Sequence, residues 1–206
     1  MAATYTLYSM QFSGNCYKAR LAMHELAIPF RIVDFKKGDG QTTSPDFLAL
    51  NPNAQVPLLV LPDGRPLAES NAMLLHLAEG SALLPADSYE RALCYQWLFF
   101  EQYSHEPVIA VARNWLRYIP GGRETMAHRI EEWQQKGNRV LTVMDDWLKA
   151  HAFFAGERFS IADIALYAYT HVAEEADYDL GRYPAIRDWL ARVAERPRHV
   201  GLDWRP

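Results

Sequence analysis

Residues 51–70, NPNAQVPLLVLPDGRPLAES, constrain the fold more than any other stretch. Val56-Pro57 stands directly before a continuous apolar run, Leu58-Leu59-Val60-Leu61. Proline cannot donate to a sheet ladder, so it belongs at a first strand position or a special turn. An X-Pro bond there is open to the cis isomer, which costs only about 0.5–1 kcal/mol. Pro62-Asp63-Gly64 reads as a tight turn: fixed φ, an Asx side chain, then a residue free to take positive φ. A second, shorter strand is expected over residues 65–68. Glu69-Ser70 then meets the helical run NAMLLHLAEG. A carboxylate and a hydroxyl at a helix start can cap it or hold the charged end of a ligand.

The flanking sequence supplies the rest of a small α/β unit. Residues 4–10 and 30–35 are rich in strand formers, and residues 15–26 carry Ala19, Ala22, Met23 and Leu26 on one helical stripe. Pro45 opens a short helix to Leu50. The first 80 residues therefore read β-α-β-α-β-β-α. The β-α-β crossover gives a parallel pair and the hairpin adds antiparallel strands, so the expected sheet is mixed and four-stranded.

Residues 81–87 are the expected linker, and no strand is expected after them. Residues 88–118 read as a long helical stretch with a kink where Pro107 lacks an amide donor, and residues 124–151 as another. Ser160-Ile161-Ala162-Asp163 has the spacing of a capping box, and a last helix follows Tyr183-Pro184. The expected fold class is α/β plus all-α: a thioredoxin-like domain over residues 1–80 and an all-helical domain over residues 88–206. Net charge is −4 with no basic block, which argues against nucleic acid as the main partner. The start, MAATYTLYSM, lacks the pattern of a signal peptide, and no apolar run approaches the ~20 residues that span a bilayer. The two cysteines, Cys16 and Cys94, are far apart and give no metal spacing. Together these point to a cytoplasmic protein without a bound metal.

The layout and four short motifs resemble the cytosolic glutathione S-transferases, in their bacterial form with serine or asparagine at the active site. Residues 51–57, NPNAQVP, resemble the segment leading to that family's cis-proline; Ala54 departs from it, since glycine or a charged residue is common there. Glu69-Ser70 matches the pair that holds the γ-glutamyl end of glutathione. Phe159-Ser160-Ile161-Ala162-Asp163 looks like the second-domain capping box, and Ser13-Gly14-Asn15-Cys16-Tyr17 stands where the thiol-activating residue is placed.

The resemblance implies glutathione as co-substrate, a small electrophile as partner and a homodimer. It also implies roles. Ser13 is the first candidate for the group that stabilises the thiolate, with Asn15 beside it. Val56 would offer its backbone to the cysteinyl part, with Gln55 next to it, while Glu69, Ser70 and Gln41 would make further glutathione contacts. Phe12, Tyr103 and Arg113 would line an acceptor pocket between the domains. Tyr8 is a rival catalytic residue from the first strand, and Cys16 is read as structural. Peroxide or disulfide reduction are further reactions within reach. A glutathione-dependent isomerase and a non-enzymatic binding or regulatory protein of the same fold are the alternatives.

Overall fold

The computed structural model describes residues 4–205. Residues 1–3 and 206, and the parts of the sequence expectations that fall on them, lie outside the described residues. The chain divides into two compact units, residues 1–81 with 197–206, and residues 82–196.

The first unit is built on a four-stranded sheet in the order β2-β1-β3-β4. Strands β1 (Tyr5–Ser9) and β2 (Phe30–Asp34) are parallel, joined through helix α1 (Gly14–Glu25). Strand β3 (Leu58–Val60) runs antiparallel to β1 with Leu59 opposite Leu7, and β4 (Pro66–Leu67) is antiparallel to β3. Helix α2 (Pro45–Leu50) has Ser44 as its cap, its side chain accepting from the Phe47 amide at 3.3 Å. Helix α3 (Ser70–Ala78) packs on α1. The sheet's apolar face is closed by Leu58, Phe35 and Phe47, with Tyr8 and Val56 against them.

Helix α1 carries no clean amphipathic stripe, because Gly14 and every residue from Cys16 to Met23 is buried. Lys18 and Arg20 are both fully buried. The tail after Arg196 belongs with this unit, whereas residues 88–206 are expected from sequence as one helical domain. The reason is visible in its hydrogen bonds. Tyr17 donates its hydroxyl to the Val200 carbonyl at 2.6 Å, and Arg20 and Gln11 each donate to the Leu202 carbonyl at 3.0 Å.

The second unit is helical. It comprises α4 (Ser88–Phe100), α5 (Glu106–Arg113), α6 (Gly122–Thr125), α7 (Ala127–Leu148), α8 (Ile161–Thr170) and α9 (Pro184–Ala194). Pro107 interrupts the amide ladder as expected, but the chain answers with a widened turn over Glu101–His105 rather than a simple kink. The Glu106 amide there bonds the carbonyl five residues back, at Glu101. A second widened turn covers Asn114–Tyr118.

Gly137 on α7 lies against the Tyr178 ring, and a Cβ built there would collide with it. The Tyr178 hydroxyl lies 3.1 Å from the Val108 carbonyl and 2.9 Å from that of Trp133, which holds the ring in place. Gly137→Ala is therefore expected to destabilise by about 1–2 kcal/mol. Overpacking of about 1–3 kcal/mol exceeds the gain of just under 1 kcal/mol in helix propensity. Urea unfolding would read this as a lower midpoint at unchanged slope.

Candidate active site

Helix α1 begins beside helix α3, and the first turns of both carry polar side chains. Ser13 is the N-cap of α1, with extended backbone (φ −75°, ψ 121°), and its Oγ accepts from the Cys16 amide at 3.2 Å. That contact uses a lone pair and leaves the hydroxyl proton for a second partner. Asn15 lies in the first turn of α1, and its Oδ1 accepts from Ser70 Oγ at 3.4 Å. Ser70 is almost fully buried and in turn accepts from Lys18 Nζ at 3.3 Å. Three of the expected residues, Ser13, Asn15 and Ser70, thus gather where two helix N-termini present amide donors and positive partial charge.

Glu69 precedes α3 with φ 66° and ψ 113°. A non-glycine residue held in that region costs of order 1–3 kcal/mol, and such strain concentrates at functional positions. Its carboxylate is exposed and makes no cap to α3.

The segment expected to meet the cysteinyl part of glutathione is the approach to β3. The Val56–Pro57 peptide is cis. Pairing of β3 with β1 starts at Leu58, so Gln55 and Val56 lie outside the ladder. Asn51, which the sequence reading did not single out, shapes this approach from a buried position. Its Nδ2 donates to the Gln55 carbonyl at 2.8 Å and its Oδ1 accepts from the Asn53 amide at 3.1 Å. Ala54, the departure from the family pattern, has φ 56°, where glycine is at ease. Gln41 lies on an exposed single turn, Gln41–Thr43, held by Asp39, whose Oδ1 accepts from its amide at 2.9 Å.

The rival Tyr8 and the structural Cys16 both lie in packed surroundings. Tyr8 lies edge-on to Phe35 and Phe47 at centroid distances of 5.7 and 5.6 Å. Cys16 is fully buried, its Sγ accepting from the Met10 amide at 3.3 Å. Burial pushes its thiol above the ordinary range, against what a nucleophile needs.

The expected acceptor-pocket residues fare unevenly. Phe12 is exposed in the loop before Ser13, and Tyr103 is exposed on the widened turn of the second unit. Arg113, expected as a pocket-lining cation, is instead buried. Its Nε donates to Glu175 at 2.7 Å and its Nη2 to the Tyr118 hydroxyl at 2.7 Å, so its charge is engaged inside the helical unit. His105 is also buried there, within 2.9 Å of Thr170 Oγ1. Among the described residues, no group of His, Cys, Asp and Glu could hold a metal ion.

Comparison with known proteins identifies the family. The family described as "Glutathione S-transferase, N-terminal domain" matches residues 12–79, and "Glutathione S-transferase, C-terminal domain" matches residues 97–197. The disulfide-bond oxidoreductase YfcG of Escherichia coli (strain K12) is 32% identical over 190 residues, 89% of this chain and 87% of that protein. The glutathione S-transferase of Pseudomonas fluorescens superposes with a TM-score of 0.93 at 46% identity, covering 96% of this chain and 98% of that one. A glutathione transferase of Burkholderia graminis, solved with two glutathione molecules per subunit, superposes with a TM-score of 0.83 at 25% identity. That match covers 95% of this chain and 85% of that one. With both domain signatures in order and a relative this similar along nearly the whole chain, the protein belongs to the glutathione S-transferase family.

Proposed function

We propose that the protein binds glutathione along the approach to β3 and holds its thiol as a thiolate at the start of α1, for attack on a small electrophile. The observation that carries this reading is the Asn15–Ser70 contact. It brings the thiol-activating position and the γ-glutamyl position of the family side by side. Glutathione's γ-glutamyl end would lie at Glu69 and Ser70, its cysteinyl amide and carbonyl against the backbone of Val56, and Gln41 and Gln55 near its remaining polar groups. Backbone pairing of this kind is how an extended peptide adds to an exposed sheet edge.

Free thiols titrate near 8.5, so a drop of two units needs about 3 kcal/mol of selective stabilisation. A charge-assisted hydrogen bond supplies about 1.5–3 kcal/mol, and the helix end adds to it. Ser13 and Asn15 are the donors we assign to that position. Reduction of a mixed or glutathione disulfide is a second reading, favoured by the likeness to YfcG. The same thiolate would then attack sulfur instead of carbon. We read the protein as cytoplasmic and homodimeric; the exposed Tyr89, Phe99 and Tyr103 of the helical unit support an interface there.

The test is retention on immobilised glutathione, followed by assays with a chlorinated dinitroaromatic, a hydroperoxide and a small disulfide. Ser13→Ala and Asn15→Ala are each expected to lower turnover about 10- to 100-fold, the kinetic equivalent of one charged hydrogen bond. Retention with no turnover in any assay would turn the reading to a binding or regulatory protein. Failure of the wild-type chain to bind glutathione would sink it.

A further inference from the structure

Asn51 ends α2 with extended backbone (φ −142°, ψ 96°) and is buried, although asparagine is mostly a surface residue. Its amide donates to the Phe47 carbonyl at 2.8 Å, and its carbonyl accepts from the Ala54 amide at 3.0 Å. The side chain continues the same turn. Its Oδ1 accepts from the Asn53 amide at 3.1 Å, and its Nδ2 donates to the Gln55 carbonyl at 2.8 Å. These partners settle which end of the amide is which. A backbone N–H only donates and a backbone carbonyl only accepts, so oxygen faces Asn53 and nitrogen faces Gln55.

The Gln55 carbonyl is one end of a rigid unit. The Gln55–Val56 peptide is trans, and a trans peptide is planar with its C=O and N–H pointing in opposite directions. Holding the carbonyl toward Asn51 therefore turns the Val56 N–H away from Asn51. Pairing of β3 with β1 starts at Leu58, and among the described residues the Val56 N–H has no acceptor. Pro57 restricts the backbone of Val56 from one side, and Asn51 sets the peptide plane on the other. A carbonyl that accepts a hydrogen bond also polarises its own amide, which makes the N–H at the far end a stronger donor.

We propose that Asn51 is a positioning residue for glutathione. By holding the Gln55 carbonyl it aims the Val56 N–H at the cysteinyl backbone of the tripeptide. The inference rests on the reading above, which gives Val56 that contact, and adds a role for a residue that touches no ligand. Its share lies in capturing an extended peptide, whereas ionising the thiol falls to Ser13 and Asn15.

The experiment compares Asn51→Ser and Asn51→Asp with the wild-type chain. Serine keeps an oxygen for the Asn53 amide but is too short to reach the Gln55 carbonyl. Aspartate keeps the shape and the Asn53 contact but sets an acceptor against an acceptor. The readouts are the glutathione dissociation constant by calorimetry, kcat at saturating glutathione, and hydrogen exchange at the Val56 amide with and without glutathione. Loss of one hydrogen bond corresponds to about tenfold in affinity, so both variants are expected to bind glutathione about tenfold more weakly, aspartate more so than serine. At saturation kcat should change by less than about threefold, the pattern of lost uniform binding. In the wild type, bound glutathione should slow exchange at Val56 by about tenfold or more, and in both variants most of that slowing should be gone at equal occupancy. A merely structural role would lower the unfolding midpoint without singling out that amide. Folded variants with wild-type affinity and wild-type protection at Val56 would overturn the role of Asn51. If neither variant folds, the wild-type exchange decides: a Val56 amide that bound glutathione does not slow overturns the proposal. A wild-type chain that does not bind glutathione would instead overturn the reading beneath it.

Discussion

Replacing Asp163 by alanine is expected to lower the unfolding free energy by about 3–5 kcal/mol, because several buried donors lose their acceptor at about 1–3 kcal/mol each, less whatever they recover by rearrangement. Asp163 has no exposed surface. Its Oδ2 accepts from the Ser160 amide at 2.8 Å and the Ser160 hydroxyl at 3.0 Å. Its Oδ1 accepts from the Phe154 amide at 3.1 Å and from Trp189 Nε1 at 3.0 Å. One carboxylate therefore closes the capping box of α8, ties down the loop before it and anchors α9. Alanine would strand all of these donors in a dry interior. Because domains are stable by only about 5–15 kcal/mol, the loss would consume much of the margin. A denaturant titration should show a large fall in midpoint. Asp163→Asn is expected to cost less, since it keeps one acceptor, though its new N–H group faces donors.

The same group gives stability a pH dependence of definite sign. Burial pushes the Asp163 carboxyl from its ordinary 3.8 up to about 6. Between those values the folded state binds the proton and the unfolded chain has lost it. Stability from this group is therefore greatest below about pH 4, falls as pH rises to about 6, and is flat above, a change of about 3 kcal/mol in all. The stability difference between wild type and Asp163→Asn, measured across that range, should shrink as pH rises. A difference independent of pH would contradict the assignment.

What the sequence revealed of this fold follows from which residues have a local reason for being where they are. The start of α2 was legible because Pro45 suits its first turn; its cap, Ser44, was read only as loop. The β3–β4 hairpin was legible because Pro57 and Pro62-Asp63-Gly64 fix the backbone locally, and Ser160 with Asp163 announces α8 by spacing alone. Ser13, Asn15, Glu69 and Ser70 were legible as a set only through their order along the chain.

Lys18 and Arg20 were not legible. On a helix buried all round, a charged residue looks the same in sequence as one on a solvated face. Arg113 was misread for the same reason: its partner Glu175 is distant in sequence, and nothing local marks the pair. The widened turn after α4 was read only as a kink, because shifting the hydrogen bond by one residue changes no composition. The tail was assigned to the wrong unit because it is held largely by its backbone carbonyls, and any residue in its place would offer the same acceptor.

Ending the chain after Arg196 is expected to lower kcat at least tenfold while leaving the helices of residues 82–196 folded. The removed segment supplies acceptors to the loop that carries Ser13. Arg20 is buried and spans that loop, donating to Ser9 Oγ at 2.9 Å, the Gln11 carbonyl at 2.6 Å and the Leu202 carbonyl at 3.0 Å. Gln11 adds a hydrogen bond to the Trp204 carbonyl at 3.2 Å, and His24 Nδ1 lies 2.8 Å from that of Arg198. Farther along the sheet, Arg205 pairs with Asp34 at 2.9 Å. Without the tail, a desolvated guanidinium loses an acceptor and residues 10–13 lose their outer support. A displacement of about 1 Å in a positioned group can cost a hundredfold in rate, so a loosened N-cap at Ser13 is enough. Arg20→Lys should reproduce part of the loss, because a single ammonium cannot bridge the positions that the planar fork reaches. Hydrogen exchange should quicken at residues 10–16 in both variants and stay protected in α7 and α8. A shortened chain with wild-type turnover, or one whose α7 and α8 lose protection as well, would show that the tail does not hold the catalytic loop in the way its hydrogen bonds indicate.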